Sequence, residues 1–402
     1  MLEHSQSGGR VAPRVRALRP FFALEVMEQA LVLDRAGHAV AHMEIGEPDL
    51  PAPPEAVEAC RHALLLGETH YTDSRGLLEL REVIAAHTQR RSGVAVDPDR
   101  IVVTNGTSPA MLLVFASLLE PGDEVILAEP HYPAYPNFVR FFGGVPVPVP
   151  TRASEGWRLD PDAVRRVVTP RTRALVLSSP ANPTGAVQDP ATSRALADLG
   201  VPIVSDEIYD GILYEDVRPT PGLVLDPDAF VIDGVSKRYA MTGFRLGWAI
   251  VPDGARRVLQ TMLQNFFISA NGFVQRAGIV VLRDCSDRVP EMCELLAPRR
   301  EQLVAGLREL GFGVAQAPAG AFYVLADARP FGADSLELAM TLLERAHVGV
   351  APGIDFGDTA EGMLRFCFAV SDDTIRVGLE RLAEILPDLE RTARQRTNGN
   401  EP

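Results

Sequence analysis

Between about residues 101 and 250 the chain alternates short apolar runs with stretches of helical periodicity. The runs 101–104, 124–127, 174–178, 202–205, 230–233 and 246–250 are mostly apolar, the pattern of strands buried on both faces. The run 145–149 is interrupted by prolines, which assigns it to a sheet edge. Between these runs, residues 109–119, 134–142, 160–168 and 191–199 have helical spacing. Such alternation predicts a three-layer α/β domain: a mostly parallel sheet with helices on both sides. After about Asp284 the rhythm changes to a long helix over 289–310, a strand at 322–325, another helix and a strand at 363–368. That order predicts a smaller α+β domain, with a helix over 22–36 packing against it. The expected boundaries are a flexible leader 1–18, an N-terminal segment 19–46, a large domain 47–288, a small domain 289–390 and a disordered tail 391–402.

Composition narrows the function classes. A chain of 402 residues, 46% apolar and 23% charged, is long enough for two domains with a sizeable core. Its net charge of −14 disfavours nucleic-acid binding. The pairs Arg90-Arg91 and Arg299-Arg300 read as solvated helix faces. Four cysteines without paired metal spacing or a disulfide framework favour a reducing, cytoplasmic setting, and no metal site is expected. The N-terminus lacks an apolar signal segment, and no stretch approaches the ~20 apolar residues of a membrane span.

Catalytic groups in such a sheet belong beyond the strands' carboxyl ends, and five segments there carry chemistry. Thr104-Asn105-Gly106-Thr107-Ser108-Pro109 ends a strand and opens a helix, with Pro109 suited to the first helical position. A helix start offers N–H groups and a positive dipole end to a phosphate; the alternative is an ordinary cap by Thr107 or Ser108. Tyr132, in Pro130-His131-Tyr132-Pro133, either stacks on a planar ring or is a core aromatic. Ser179-Pro180-Ala181-Asn182-Pro183-Thr184-Gly185 is a rigid turn that fixes the Asn182 amide, for a ligand oxygen or as a structural turn. Asp206, in Ser205-Asp206-Glu207-Ile208-Tyr209, follows a buried strand and needs a cation or donors, unless it caps a helix. Tyr209, three residues on, suits a hydroxyl aimed at a ring oxygen. Lastly Lys237, in Ser236-Lys237-Arg238, precedes Arg245 by two helical turns. An amine that condenses with an aldehyde, beside a guanidinium fork that matches phosphate, points to pyridoxal 5'-phosphate.

In this order the five segments resemble the class I/II aminotransferases, the aspartate aminotransferase-like family of fold type I pyridoxal-phosphate enzymes. The resemblance extends from about Arg19 to Leu389 and implies particular roles. Lys237 is similar to the Schiff-base lysine that also shuttles the Cα proton. Asp206 resembles the carboxylate on the pyridine nitrogen. Asn182 and Tyr209 resemble the ring-oxygen partners, and Tyr132 the stacking aromatic. Gly106, Thr107, Ser108, Ser236 and Arg245 fall at the phosphate cup. Tyr71 matches a tyrosine that reaches the phosphate of the neighbouring subunit, which implies a homodimer with shared sites. Gly46, Asn182 and Arg365 fall where the substrate α-carboxylate is held. Gly234 stands where many members have serine, with Ser236 the candidate substitute. Ser108 stands where an aspartate-specific branch has lysine, so specificity for aspartate is not implied. Phe21 and Phe22 begin the substrate-lining segment, which points to an apolar or aromatic side chain.

The implied reaction is ping-pong transfer of the amino group of an L-amino acid to a 2-oxo acid, with Lys237 as general base. Two rivals remain: a C–S lyase or other reaction on the same cofactor, and a non-catalytic aminotransferase-like sensor. The sensor needs an appended DNA-binding domain, for which the segment before Phe21 is too short. A nicotinamide-binding protein is disfavoured because no G-x-G-x-x-G follows the early strands.

Overall fold

The computed structural model describes residues 11–398. In chain order its strands are β1 Ala41–His42, β2 Ile101–Thr104, β3 Glu124–Glu129, β4 Val145–Pro150, β5 Thr172–Ser178, β6 Ile203–Asp206, β7 Phe230–Gly234, β8 Gly247–Ile250, β9 Tyr323–Asp327, β10 Val348–Gly349, β11 Ala351–Pro352 and β12 Met363–Cys367. Seven form one sheet in the order β2-β8-β7-β6-β5-β3-β4. β8 alone runs against its neighbours; the other pairs in this sheet are parallel. The prolines of β4 are tolerated because it is the edge strand, with one row of its N–H groups unused by the ladder.

The apolar runs of the central strands divide between the two sheet faces. Val102, Val125, Val176 and Ile232 pack with Phe115 and Val139 on one side. Ile101, Val103, Ile126, Leu175 and Trp248 pack with Ile84, Leu196 and Val274 on the other. Helix Thr107–Leu118 begins two residues before the expected start, so Pro109 is its third residue. Pro109 is still within the first turn, where its missing N–H has no intrahelical acceptor. Helices Pro54–Leu65, Leu78–Ser92, Arg256–Phe266 and Gly272–Asp284 have no counterpart in the strand–helix alternation.

A second core joins helix Arg288–Glu309, the sheet β11-β12-β9 and helix Ser335–Ala346. Val26 and Ala30 of helix Phe22–Arg35 belong to it, as do Ile208 and Tyr209 beyond β6. The last helix, Asp372–Asn398, runs through 391–398, where a disordered tail is expected. Arg391 pairs with Asp388 and Arg394 with Glu390 at helical spacing, which supports the extra turns. Residues 1–10 and 399–402 lie outside the described residues; within the expected leader, Pro13–Arg16 forms a single helical turn.

The arginine pairs differ most from expectation. Arg91 is not a solvated face: it joins Asp233, Glu207 and Asp210. Arg299 bridges Asp49 and Asp372, and Arg300 joins Glu215 and the Pro318 carbonyl. Acids distant in sequence make these partners, so local pattern does not reveal them. At the centre of the first group, Arg238 is buried and donates to both carboxylate oxygens of Asp233 at 2.8 and 2.7 Å. Removing one partner of a buried pair leaves the other charge uncompensated, at a cost of about 3–5 kcal/mol. Asp233→Ala is expected to lower unfolding stability by that amount in urea titrations. Arg376→Ala, on an exposed helix face, should leave the midpoint unchanged.

Candidate active site

The site lies at the carboxyl ends of the parallel strands. Thr104 ends β2, Glu129 ends β3, Ser178 and Asp206 end the neighbouring β5 and β6, and Gly234 ends β7. Because β8 is reversed, its starting end lies here too and brings Arg245 with it. Arg245 takes a left-handed conformation at φ 54°, and its Nη1 donates to the Thr242 carbonyl at 3.1 Å. A cavity of about 210 Å³ opens among these ends.

Most of the expected residues line it: Gly46, Thr107, Ser108, Tyr132, Asn182, Asp206, Tyr209, Ser236, Lys237, Arg245 and Arg365. Gly106 lies directly below, in the left-handed region at φ 93°, and a Cβ there would come within 2.5 Å of Arg245 Nη2. Tyr71 is the exception. It is 80% exposed and does not line the cavity of its own chain. Phe21 and Leu24 line the mouth, but Phe22 turns away: its N–H donates to Asp355 and it lines a neighbouring cavity. Gly234 has no room for a side chain, because a Cβ would meet the Leu246 carbonyl at 2.9 Å. A serine there would not fit, whereas the buried Ser236 lines the cavity.

Charges in the cavity are left without protein partners of opposite sign. Asp206 is buried and accepts from the Tyr135 hydroxyl at 2.5 Å and the Ile208 N–H at 3.2 Å; it makes no ion pair among the described residues. Arg365 is buried between the rings of Tyr323 and Phe356, at 4.4 and 5.0 Å from their centroids. It donates to Asn182 Oδ1 at 3.0 Å and to the Glu44 carbonyl, and faces no carboxylate partner among the described residues. The first bond fixes the Asn182 amide, leaving its Nδ2 as the free donor. Lys237 Nζ donates to the Gly46 carbonyl at 2.7 Å, and desolvation lowers its pKa to about 8. Gly46 has to be glycine, since a Cβ would fall 1.7 Å from the Tyr323 hydroxyl. Tyr209 and Tyr323 share a hydrogen bond of 2.7 Å, and burial raises both phenols.

A model of the family "Aminotransferase class I and II" matches residues 39–382. The chain belongs to that family. It is 40% identical over 380 residues to the aspartate/prephenate aminotransferase of Thermus thermophilus, covering 93% of this chain and 98% of that one. It is 35% identical to the valine–pyruvate aminotransferase of Mycobacterium tuberculosis, over 94% and 99% of the two chains. The structure of Thermus thermophilus aspartate aminotransferase with maleate superposes with a TM-score of 0.89 at 39% identity, over 94% and 99% of the two chains. This aminotransferase therefore has its fold and its chemistry, amino-group transfer, in common with them.

Sequence reasoning missed Tyr135 and Tyr323, which orient Asp206 and flank Arg365. Tyr135 stands three residues after Tyr132, at the start of helix Ala134–Phe141, and the two rings meet edge-on with centroids 5.4 Å apart. Tyr323 looked like any alternate residue of a small-domain strand.

The candidate cofactor must supply what the cavity lacks: a cation at Asp206 and anions at Arg365 and Arg245. Pyridoxal phosphate with an amino-acid carboxylate fits that demand. Without such a ligand, desolvation raises the Asp206 carboxyl from 3.8 to about 6. A carboxyl raised on folding favours the folded state while protonated. Its ionisation costs roughly 3 kcal/mol, incurred as pH rises from about 4 to about 6. Ligand-free protein should lose stability across that window, and Asp206→Asn should lose correspondingly less. Urea-unfolding free energies for both chains check this; parallel slopes would argue against an unpaired carboxylate.

Proposed function

We propose that this aminotransferase works with pyridoxal phosphate and exchanges the amino group between L-amino acids and 2-oxo acids at a site completed by a second copy of the chain. The unpaired charges carry the reading: a buried acid and two cations around one cavity match a pyridinium, a phosphate and an α-carboxylate. When bound, the cofactor supplies a carbonyl that takes up the amine and a ring that accepts electrons from Cα. Asp206 would hold the ring nitrogen protonated, and the Tyr135 hydroxyl orients that carboxylate. Asn182 Nδ2 and the Tyr209 hydroxyl would hold the ring oxygen, and Tyr132 would provide an aromatic surface for the ring. The first N–H groups of helix Thr107–Leu118, over Gly106, hold the phosphate with Thr107, Ser108, Ser236 and Arg245.

Arg365 holds the α-carboxylate beside Gly46, with its orientation set by Asn182, the Glu44 carbonyl and two aromatic rings. Lys237, with its amine lowered to about 8 by burial, is partly neutral at physiological pH and would serve as the general base that takes and returns the Cα proton. Amino donor and 2-oxo acid acceptor would occupy the cavity in turn, a ping-pong sequence. The experiment is to follow the nitrogen. The expected outcome is a new amino acid formed from added pyruvate or 2-oxoglutarate in step with donor loss; release of free ammonia with pyruvate would indicate β-elimination instead. Lys237→Ala should lower transfer by at least ~10³-fold, and borohydride should fix the cofactor's mass to residue 237 in the parent chain only.

For the dimer, Tyr71 is the support. It projects from a loop tied to Ser269 through the Thr72 N–H, with Leu65, Leu66, Phe266 and Ile268 exposed in the adjoining segments. An apolar group of this kind on the surface suits a self-contact. Light scattering is expected to give twice the chain mass of 43.6 kDa. Tyr71→Ala should weaken cofactor retention; a monomer with full activity would overturn the shared site.

A further inference from the structure

The part of the cavity left over for the substrate side chain has a chemistry of its own. The cations that line the cavity are Lys237, Arg245 and Arg365. On the proposed function, the first handles the proton, the second the phosphate and the third the α-carboxylate. No cation remains for a second carboxylate among the described residues that line it. What remains at the mouth is Phe21, Leu24 and Ile45, all apolar. A side-chain carboxylate placed there would lose water and gain no counter-ion from the described residues of this chain that line the cavity.

The apolar wall is not a loose terminus. Phe21 is the cap residue of helix Phe22–Arg35 and has no side-chain acceptor for the first N–H groups. Asp355 supplies it from the turn after β11: the Phe22 N–H donates to Oδ1 at 2.9 Å and the Ala23 N–H to Oδ2 at 2.7 Å. Asp355 is itself buried, so the cap is shielded from water. An acid at a helix start also meets the favourable end of the helix dipole. The same segment faces two ways, with Phe21 on the active cavity and Phe22 on its neighbour. Its placement, and with it that of Leu24, depends on this cap.

We propose that the amino acid and the 2-oxo acid exchanged at this site carry uncharged, apolar side chains, read by Phe21 and Leu24, which Asp355 holds across the mouth as a positioning residue. The inference rests on the proposed function and adds the substrate class. Both half-reactions pass through the one cavity, so the acceptor obeys the same rule as the donor, and pyruvate is preferred to 2-oxoglutarate.

The test uses holoenzyme with a panel of donors: alanine, leucine, phenylalanine, aspartate and glutamate. Leucine or phenylalanine is expected to exceed both acidic donors in kcat/KM by about tenfold or more, the scale on which one side-chain contact discriminates. Leu24→Arg should reduce that ratio by about tenfold or more, by raising KM for leucine and lowering it for glutamate. Asp355→Asn should raise KM for leucine about fivefold, and that for alanine less, with kcat changed under twofold, the split expected when substrate placement rather than chemistry is lost. Acidic donors matching leucine, or a ratio unmoved in Leu24→Arg, would overturn the substrate class while amino transfer stands. A kcat loss in Asp355→Asn equal for every donor would overturn the positioning role. No transfer from any donor, alanine included, would overturn the proposed function and this inference with it.

Discussion

The buried carboxylate of Asp206 is the constraint around which the rest is arranged. It sits at the end of an apolar strand, against Ser178 of the neighbouring strand, with a phenol and an amide as its donors. An ion in that position is tolerable only if something positive arrives. The arrangement is thus preorganised for a ligand at some expense to the empty protein, the trade commonly made by functional sites. Arg365 is the complementary case: its aromatic walls and its two acceptors neutralise no charge, so its positive field stays available to an incoming anion.

Rigid elements hold both groups. Asp206 is anchored by the parallel sheet, while Arg365 lies on β12 in the second core, and Asn182 joins the two through its amide oxygen. Tyr209 makes a comparable link, since it follows β6 yet packs in the second core and shares a hydrogen bond with Tyr323 on β9. The cavity is therefore a seam between two packed bodies, where side chains from separate cores meet at fixed distances.

Much of this was legible in the sequence. The apolar runs marked the central strands because both faces of a parallel sheet are covered, and each turn motif followed one of those runs. Asn182, Asp206, Lys237 and Arg245 were readable since proline turns, a carboxylate after an apolar strand and a lysine–arginine pair are local signals. What was illegible depends on distant partners. Arg91 and Arg299 looked solvated because Asp233 and Asp49 are far away along the chain. Tyr135 and Tyr323 matter for where their hydroxyls point, which residue type does not reveal. The helix start at Thr107 was misplaced because Gly106 can hold the left-handed turn that ends the strand, so no hydroxyl cap was required.

The cap made by Asp355 joins residues more than three hundred positions apart. On the ribosome the helix that starts at Phe22 emerges well before its acceptor, Asp355. Until then the first amides of that helix have only water to bind. Lys237 and Asp206 are both synthesised before Asp355 can close that cap. A nascent chain that has reached Lys237 but not Asp355 would thus hold the amine and the acid of the cavity before the cap that places Phe21 and Leu24 exists.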